Sequence, residues 1–194
     1  MKYRFDIEQN TDEWIALKIG KFSASTANEL LMAKTTTGYQ NLIDRIIEER
    51  FTGLPSESRW SGNEYTERGH ELEPEAVANY EARHLCVLRK VGIVEVDDWV
   101  VVSPDRLLGD DKLYQAKCPI FKTQRSYLKS QKVPTNYYKQ MQFELFATGL
   151  ECDIFHSYHP RLPDFEKTIE RDEKMIKEIA ERLEEAKYEV TKEV

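Results

Sequence analysis

The sequence predicts a single α/β or α+β domain in which helices come first, then a mixed β-sheet, then helices again. Three observations carry this. Apolar residues recur at helical spacing through the N-terminal part. The middle of the chain switches to short runs rich in Val, Ile and Trp, bounded by turn residues. Helical spacing then returns, and no Pro/Gly/Ser-rich linker divides the 194 residues, a length that supports one substantial core.

Taken in order, Asn10 followed by Glu13 fits a capping box, which starts a short helix at about Asp12 that stops near Gly20. Ser25 precedes Thr26-Ala27-Asn28-Glu29-Leu30-Leu31-Met32 and is placed to cap a second helix. A third helix spans Tyr39 to Phe51, with Leu42, Ile43, Ile46 and Ile47 inward and Gly53 beyond its end. From Asn63 to Tyr80 the pattern is again helical: Leu72, Ala76 and Tyr80 share a stripe, and Glu73 lies beside it. Leu85 to Lys90, Ile93 to Val96, Trp99 to Ser103 and Leu113 to Lys117 read as strands, the last preceded by the turn Gly109-Asp110-Asp111. Helices over Phe121–Ser130 and Asn136–Thr148 follow, then strands over Cys152–Tyr158 and Phe165–Glu170. A charged helix from Asp172 to about Tyr188 closes the chain, with Met175, Ile176, Ile179 and Leu183 on one face.

Composition narrows the function classes. No stretch is long and apolar enough for a membrane span, and the N-terminus lacks the apolar run of a signal peptide, so a soluble, cytoplasmic protein is expected. Cys86, Cys118 and Cys152 are odd in number and have no zinc-ligand spacing, as expected of reduced structural thiols. The net charge of −7 argues against a large non-specific nucleic-acid surface. It is compatible with a site where carboxylates hold Mg²⁺.

The sharpest candidate for chemistry is Ser103-Pro104-Asp105 followed, ten positions after Asp105, by Gln115-Ala116-Lys117-Cys118-Pro119. Gln115 and Lys117 alternate with Ala116 on a strand and so project to one face, with Asp105 across a hairpin. With Glu at 115, two carboxylates and a lysine would converge, an arrangement that a divalent cation stabilises and that suits phosphodiester hydrolysis. Taken alone, the trio also fits a solvated hairpin. Ser25 as a helix cap offers an anion site, Glu73 on a charged helix also fits solvated surface, and Tyr137 and Gln140, one helical turn apart, also fit a satisfied core pair.

The chain resembles the phage lambda-type exonuclease family, whose members share the PD-(D/E)-x-K nuclease fold. The resemblance rests on separated segments in the family's order: Thr11-Asp12-Glu13-Trp14 to Lys18-Ile19-Gly20, Ser23-Ala24-Ser25, Gly69-His70-Glu71-Leu72-Glu73, Ser103-Pro104-Asp105, Lys117-Cys118-Pro119, Tyr137 to Gln142 and Ile169 to Lys174. It implies a restriction-endonuclease-like core over residues 1–194, with a mixed central β-sheet flanked by helices. It implies two Mg²⁺ ions, with Mn²⁺ as substitute, held by Asp105, position 115, the Ala116 carbonyl and Glu73, and Lys117 as the catalytic lysine. Lys18, Ser25, Ser103, Tyr137 and Gln140 fall at positions that contact phosphate or DNA. It further implies digestion of double-stranded DNA from its ends, 5′ to 3′, by a ring-shaped homotrimer that hands single strands to an annealing partner in phage recombination.

Two departures stand out. Lys18 replaces the family's usual Arg and loses its bidentate fork. Gln115 matches glutamate in shape but has no charge. Either a natural Glu has been replaced, which attenuates cleavage, or Gln115 is native and the protein binds DNA ends without hydrolysis. A third reading, a restriction-like endonuclease, predicts cutting of closed circles.

Overall fold

A computed structural model describes residues 1–56 and 64–194; the helix start expected at Asn63 lies outside them. Strand β1 (Lys2–Arg4) opens the chain, followed by helix α1 (Asp12–Lys18). The cap of α1 is Thr11, whose hydroxyl accepts the Trp14 N–H, rather than Asn10, which sits at a left-handed φ of 67° one residue earlier. Gly20, also left-handed at 65°, ends the turn as expected. Next come β2 (Phe22–Ser23), a 3₁₀ turn (Ala24–Thr26) and the short helix α2 (Ala27–Leu30). Ser25 is therefore not a helix cap. It lies exposed inside the 3₁₀ turn, which Ser23 begins.

Helix α3 (Thr37–Thr52) ends at Gly53 with φ 68°, and Leu42, Ile43 and Ile46 face inward as their spacing requires. Its Glu49 is buried and accepts the N–H groups of Gly20 and Ser56, which ties the helix to the α1 turn. Helix α4 (Glu64–His84) buries Ala76, Val77 and Tyr80. Strands β3 (Leu88–Lys90), β4 (Ile93–Glu95), β5 (Val100–Val102), β6 (Arg106–Leu108) and β7 (Lys112–Lys117) follow, then helices α5 (Phe121–Ser130) and α6 (Thr135–Thr148), strands β8 (Cys152–Ser157) and β9 (Phe165–Glu170), and helix α7 (Glu173–Glu193). Asp172 caps α7 by accepting the Met175 N–H.

The strands form two sheets rather than one. A four-stranded sheet has the order β1-β4-β5-β2, and a five-stranded sheet the order β3-β6-β7-β8-β9. β2, β1 and β6 escape sequence reading because two or three residues are too few to show a period. In the larger sheet only β7 and β8 run parallel, with Gln115 opposite Phe155. α4 covers one face, where Tyr80 and Val77 pack on Tyr114 and Ile154. α5 and α6 cover the other, where Met141 and Tyr127 meet Phe155 and Phe165. The main core joins both sheets through α3, α6 and α7, with Phe22, Leu42, Val100, Leu113, Phe143 and Ile179 buried together. Each such side chain contributes about 1.5–3 kcal/mol by leaving water.

Gly92, between β3 and β4, passes under the N-terminal segment: a Cβ there would lie 2.0 Å from the Ile7 carbonyl oxygen, and the Gly92 N–H donates to the Arg4 carbonyl. Backbone rather than a flexible side chain blocks the space. Gly92→Ala is therefore expected to destabilise by at least the upper end of the roughly 1–3 kcal/mol seen for overpacking, read as a lowered denaturation midpoint; an unchanged midpoint would mean that this crossing is loose.

Candidate active site

Strand β7 frames the site. Its alternation sends Leu113, Gln115 and Lys117 toward α6, and Tyr114 and Ala116 toward α4. Asp105 precedes β6, and the β6–β7 hairpin carries it beside Ala116, whose N–H donates to Asp105 Oδ2 at 2.8 Å. Glu73 enters from α4 and pairs with Arg106 Nη1 at 2.9 Å. It is half-buried, not the solvated surface residue that its charged helix suggests. His70, Glu73, Asp105, Ala116, Lys117 and Tyr137 line a single cleft of about 510 Å³. The Lys117 amine stands 5.4 Å from the centre of the Tyr137 ring.

The electrostatics of the cleft follow from this geometry. Burial disfavours the Lys117 ammonium, but the charge of Asp105, with Tyr137, Glu144 and Asp153 behind it, outweighs burial and holds its pKa above the usual lysine range. The surroundings of Lys117 therefore favour its charged form. Burial and the nearby Asp105 raise the Glu73 carboxyl in spite of Arg106. Burial pushes the Cys118 thiol up to about 12, so that residue lines the cleft as an inert thiol. All three cysteines are free.

Position 115 lies inside the protein instead of at the strand edge; Gln115 is 1% exposed. Its amide NH₂ donates to Glu144 Oε2 at 2.5 Å and to Asp153 Oδ2 at 3.1 Å, and its Oε1 accepts from Gln140 Nε2 at 3.2 Å. Two carboxyl oxygens on one side orient the amide, because only its NH₂ end can donate to them. Burial, with Asp105 adding to it, raises the Glu144 carboxyl to about 7, and burial with Glu144 raises Asp153 well above the usual carboxylate range.

The remaining expected phosphate contacts lie outside the cleft lining. Lys18 sits 3.8 Å over the Trp14 ring, and Trp14 Nε1 donates to Ser103 Oγ at 2.9 Å, so these two residues form one cluster near α1. The Ser25 hydroxyl lies 3.0 Å from Ser23 Oγ. Tyr137 and Gln140 do share a face of α6, but they address different partners, Lys117 and Gln115. Sequence reading missed Glu144, Asp153 and Arg106. A signal for Glu144 was present: it continues the stripe Tyr137–Gln140–Glu144 and is charged within an otherwise apolar stretch.

Among the described residues, one group of three metal-ligating side chains has its donor atoms within 4.8 Å of one another: His156, Asp164 and Glu166. None of the three is among the residues that line the cleft. Arg83 pairs with both acids and His84 with Glu166, while the His156 ring accepts or donates to Tyr114 and Asp164. These charges already compensate one another. In the cleft, Asp105, Glu73 and the Ala116 carbonyl offer hard oxygen donors, a set that fits Mg²⁺ or Mn²⁺ better than a soft metal. Among the described residues no helix is long and apolar enough to cross a membrane.

A fold of this kind with Asp105, Ala116 and Lys117 at one strand end defines a class, the nucleases of the alkaline-exonuclease and viral-recombinase group. Residues 13–151 match the YqaJ-like viral recombinase domain, and the chain belongs to that family. Its fold is similar to that of an alkaline exonuclease from Laribacter hongkongensis, with 33% sequence identity, a TM-score of 0.85 and 94% of each chain covered. The same protein in complex with dAMP matches equally, at 33% identity, a TM-score of 0.85 and 94% of each chain. A phage-related exonuclease from Haemophilus somnus 129PT shares the fold at 16% identity and a TM-score of 0.67, with 88% of this chain and 93% of that one covered. No curated protein sequence matches.

Proposed function

We propose that the protein is a Mg²⁺-dependent exonuclease that digests double-stranded DNA from its ends, 5′ to 3′, and supplies single strands to an annealing partner in phage recombination. The observation that supports this best is the shared cleft of Glu73, Asp105, the Ala116 carbonyl and Lys117, in a chain similar to an alkaline exonuclease. Asp105, Glu73 and the Ala116 carbonyl would hold the ions. When bound, Mg²⁺ supplies charge neutralisation of the phosphate and lowers the pKa of water. Lys117, as a cation, stabilises charge that develops on the scissile phosphate. Tyr137 presents its ring to the Lys117 amine. Lys18, Ser103 and Ser25 contact the DNA backbone, and Gln140 orients position 115.

Gln115 removes one negative charge from the centre and attenuates the enzyme. A homotrimeric ring would gather basic side chains around the duplex while the exterior stays acidic, which accommodates the net charge of −7. Residence in the cytoplasm of a bacterial host fits a phage or prophage origin. A second reading, a catalytically inactive DNA-end-binding protein, is favoured by Gln115 itself. The discriminating experiment supplies Mg²⁺ or Mn²⁺ with end-labelled linear duplex and with covalently closed circles. Digestion of the linear DNA alone, with label released from the 5′ end, is expected. Cut circles would identify an endonuclease, and retention of intact ends would favour the binding protein.

A further inference from the structure

Position 115 carries no carboxylate, yet two other carboxyl groups converge on its amide from different elements: Glu144 from α6 at 2.5 Å and Asp153 from β8 at 3.1 Å. Both are almost wholly buried, at 1% and 0% exposure. Among the described residues neither makes an ion pair within 4.0 Å; amides and, at longer range, Lys117 are their only compensation. Buried carboxylates are costly unless paired or bound to a metal. The second oxygen of Asp153, Oδ1, is buried against this group with no hydrogen-bond partner among the described residues. Tyr137, Gln140 and Glu144 form one stripe of α6 that leads inward from the cleft: Tyr137 lines it, Gln140 holds the Gln115 carbonyl, and Glu144 holds the Gln115 amide.

We infer that Glu144 supplies the carboxylate that position 115 lacks, so that a divalent cation in this chain is held between Asp105 and helix α6, with Gln115 and Asp153 as positioning residues. This rests on the metal-dependent reading proposed above. It would give a centre with glutamine on the strand a second acidic group, one whose charge already acts on Lys117. Gln115 aims the Glu144 carboxylate, and Asp153 anchors the other side of the amide.

The test uses Mn²⁺ alone as ligand and binding as readout, followed by calorimetry and by the rise in melting temperature. The full chain is compared with Glu144→Gln, with Gln115→Glu, and with the double variant that exchanges the two residues. Glu144→Gln leaves two amides in contact and so preserves the hydrogen bond. It is expected to weaken Mn²⁺ binding by at least about 10-fold, in the range of changes at groups that support metal ligands. In the Gln115→Glu background the same Glu144→Gln change should have little effect, because the strand carboxylate is back. Parental Mn²⁺ affinity in Glu144→Gln overturns the inference. Should that variant fail to fold, a Mn²⁺-soaked crystal of the parent decides: an anomalous peak within roughly 2–2.6 Å of a Glu144 oxygen supports it, and a peak held by Asp105 without Glu144 overturns it. A chain that binds Mn²⁺ through Glu144 but leaves DNA uncut would defeat the nuclease reading and leave this inference standing.

Discussion

Lys117→Met is expected to lower hydrolysis of linear duplex DNA by about 10²–10³-fold, the usual cost of removing one preorganised group that stabilises transition-state charge, with the fold and DNA-end binding retained. Methionine keeps most of the side-chain volume beside Tyr137 but removes the ammonium, so the loss reports charge rather than packing. The position favours a large effect. Lys117 lies at the end of β7, in the same cleft as Asp105 and Glu73, and although burial disfavours its ammonium, the charge of Asp105 holds its pKa above the usual lysine range. Single-turnover digestion of end-labelled duplex is the measurement, with circular dichroism as the control for folding. A loss smaller than about 10-fold, or roughly 1.4 kcal/mol, would remove Lys117 from the chemistry.

Gln115→Glu is the second large effect, and its sign depends on the metal. Without metal, the new carboxylate would replace an amide donor that now serves Glu144 and Asp153, and three buried acidic groups would face one another. Lost donors and like charges of this kind cost about 1–3 kcal/mol, or roughly 2–4 °C of melting temperature per kcal/mol for a chain of this size. With Mg²⁺ present the cation neutralises the cluster, and the rate of digestion should rise by at least about 10-fold, a change of roughly 1.4 kcal/mol in the barrier. The pair of measurements is a melting curve in chelator and in Mg²⁺, and a digestion assay on the same samples. A variant that melts like its parent in chelator would mean that the Gln115 network carries no strain in charge. A rate that does not rise would mean that Gln115 is no brake on the centre.

The fold was legible wherever one side of an element meets the core. Ile176, Ile179 and Leu183 on α7, and Leu42, Ile43 and Ile46 on α3, repeat at the helical period and are buried as that period requires. Where an element is too short to show a period, as in β1, β2 and β6, local pattern contains no signal, and pairing partners distant in the chain decide its conformation: β2 lies parallel to β5, and β1 pairs with β4. Turn chemistry was also ambiguous at single residues. Asn10 and Thr11 are both good caps, and only the path of the backbone into α1 assigns the role to Thr11.

The candidate site divides in the same way. Asp105, Ala116 and Lys117 belong to one short hairpin, whose spacing put them side by side; Glu73 was placed with them by the family resemblance alone, since its charged helix suggested solvated surface, and α4 carries it into the same cleft. By itself, then, the sequence determined the order of elements, the inward faces of the long helices and the strand end where the acidic and basic groups meet, because each follows from periodicity and neighbour spacing along the chain. Only the tertiary structure decided what surrounds Gln115. Glu144 lies 29 positions away and Asp153 38, on a helix and a parallel strand that reach position 115 only after the sheet and α6 have packed. A buried carboxyl group is costly in isolation and acceptable beside an amide donor, a lysine or a metal ion, and no pattern along the chain reveals which of these it will meet.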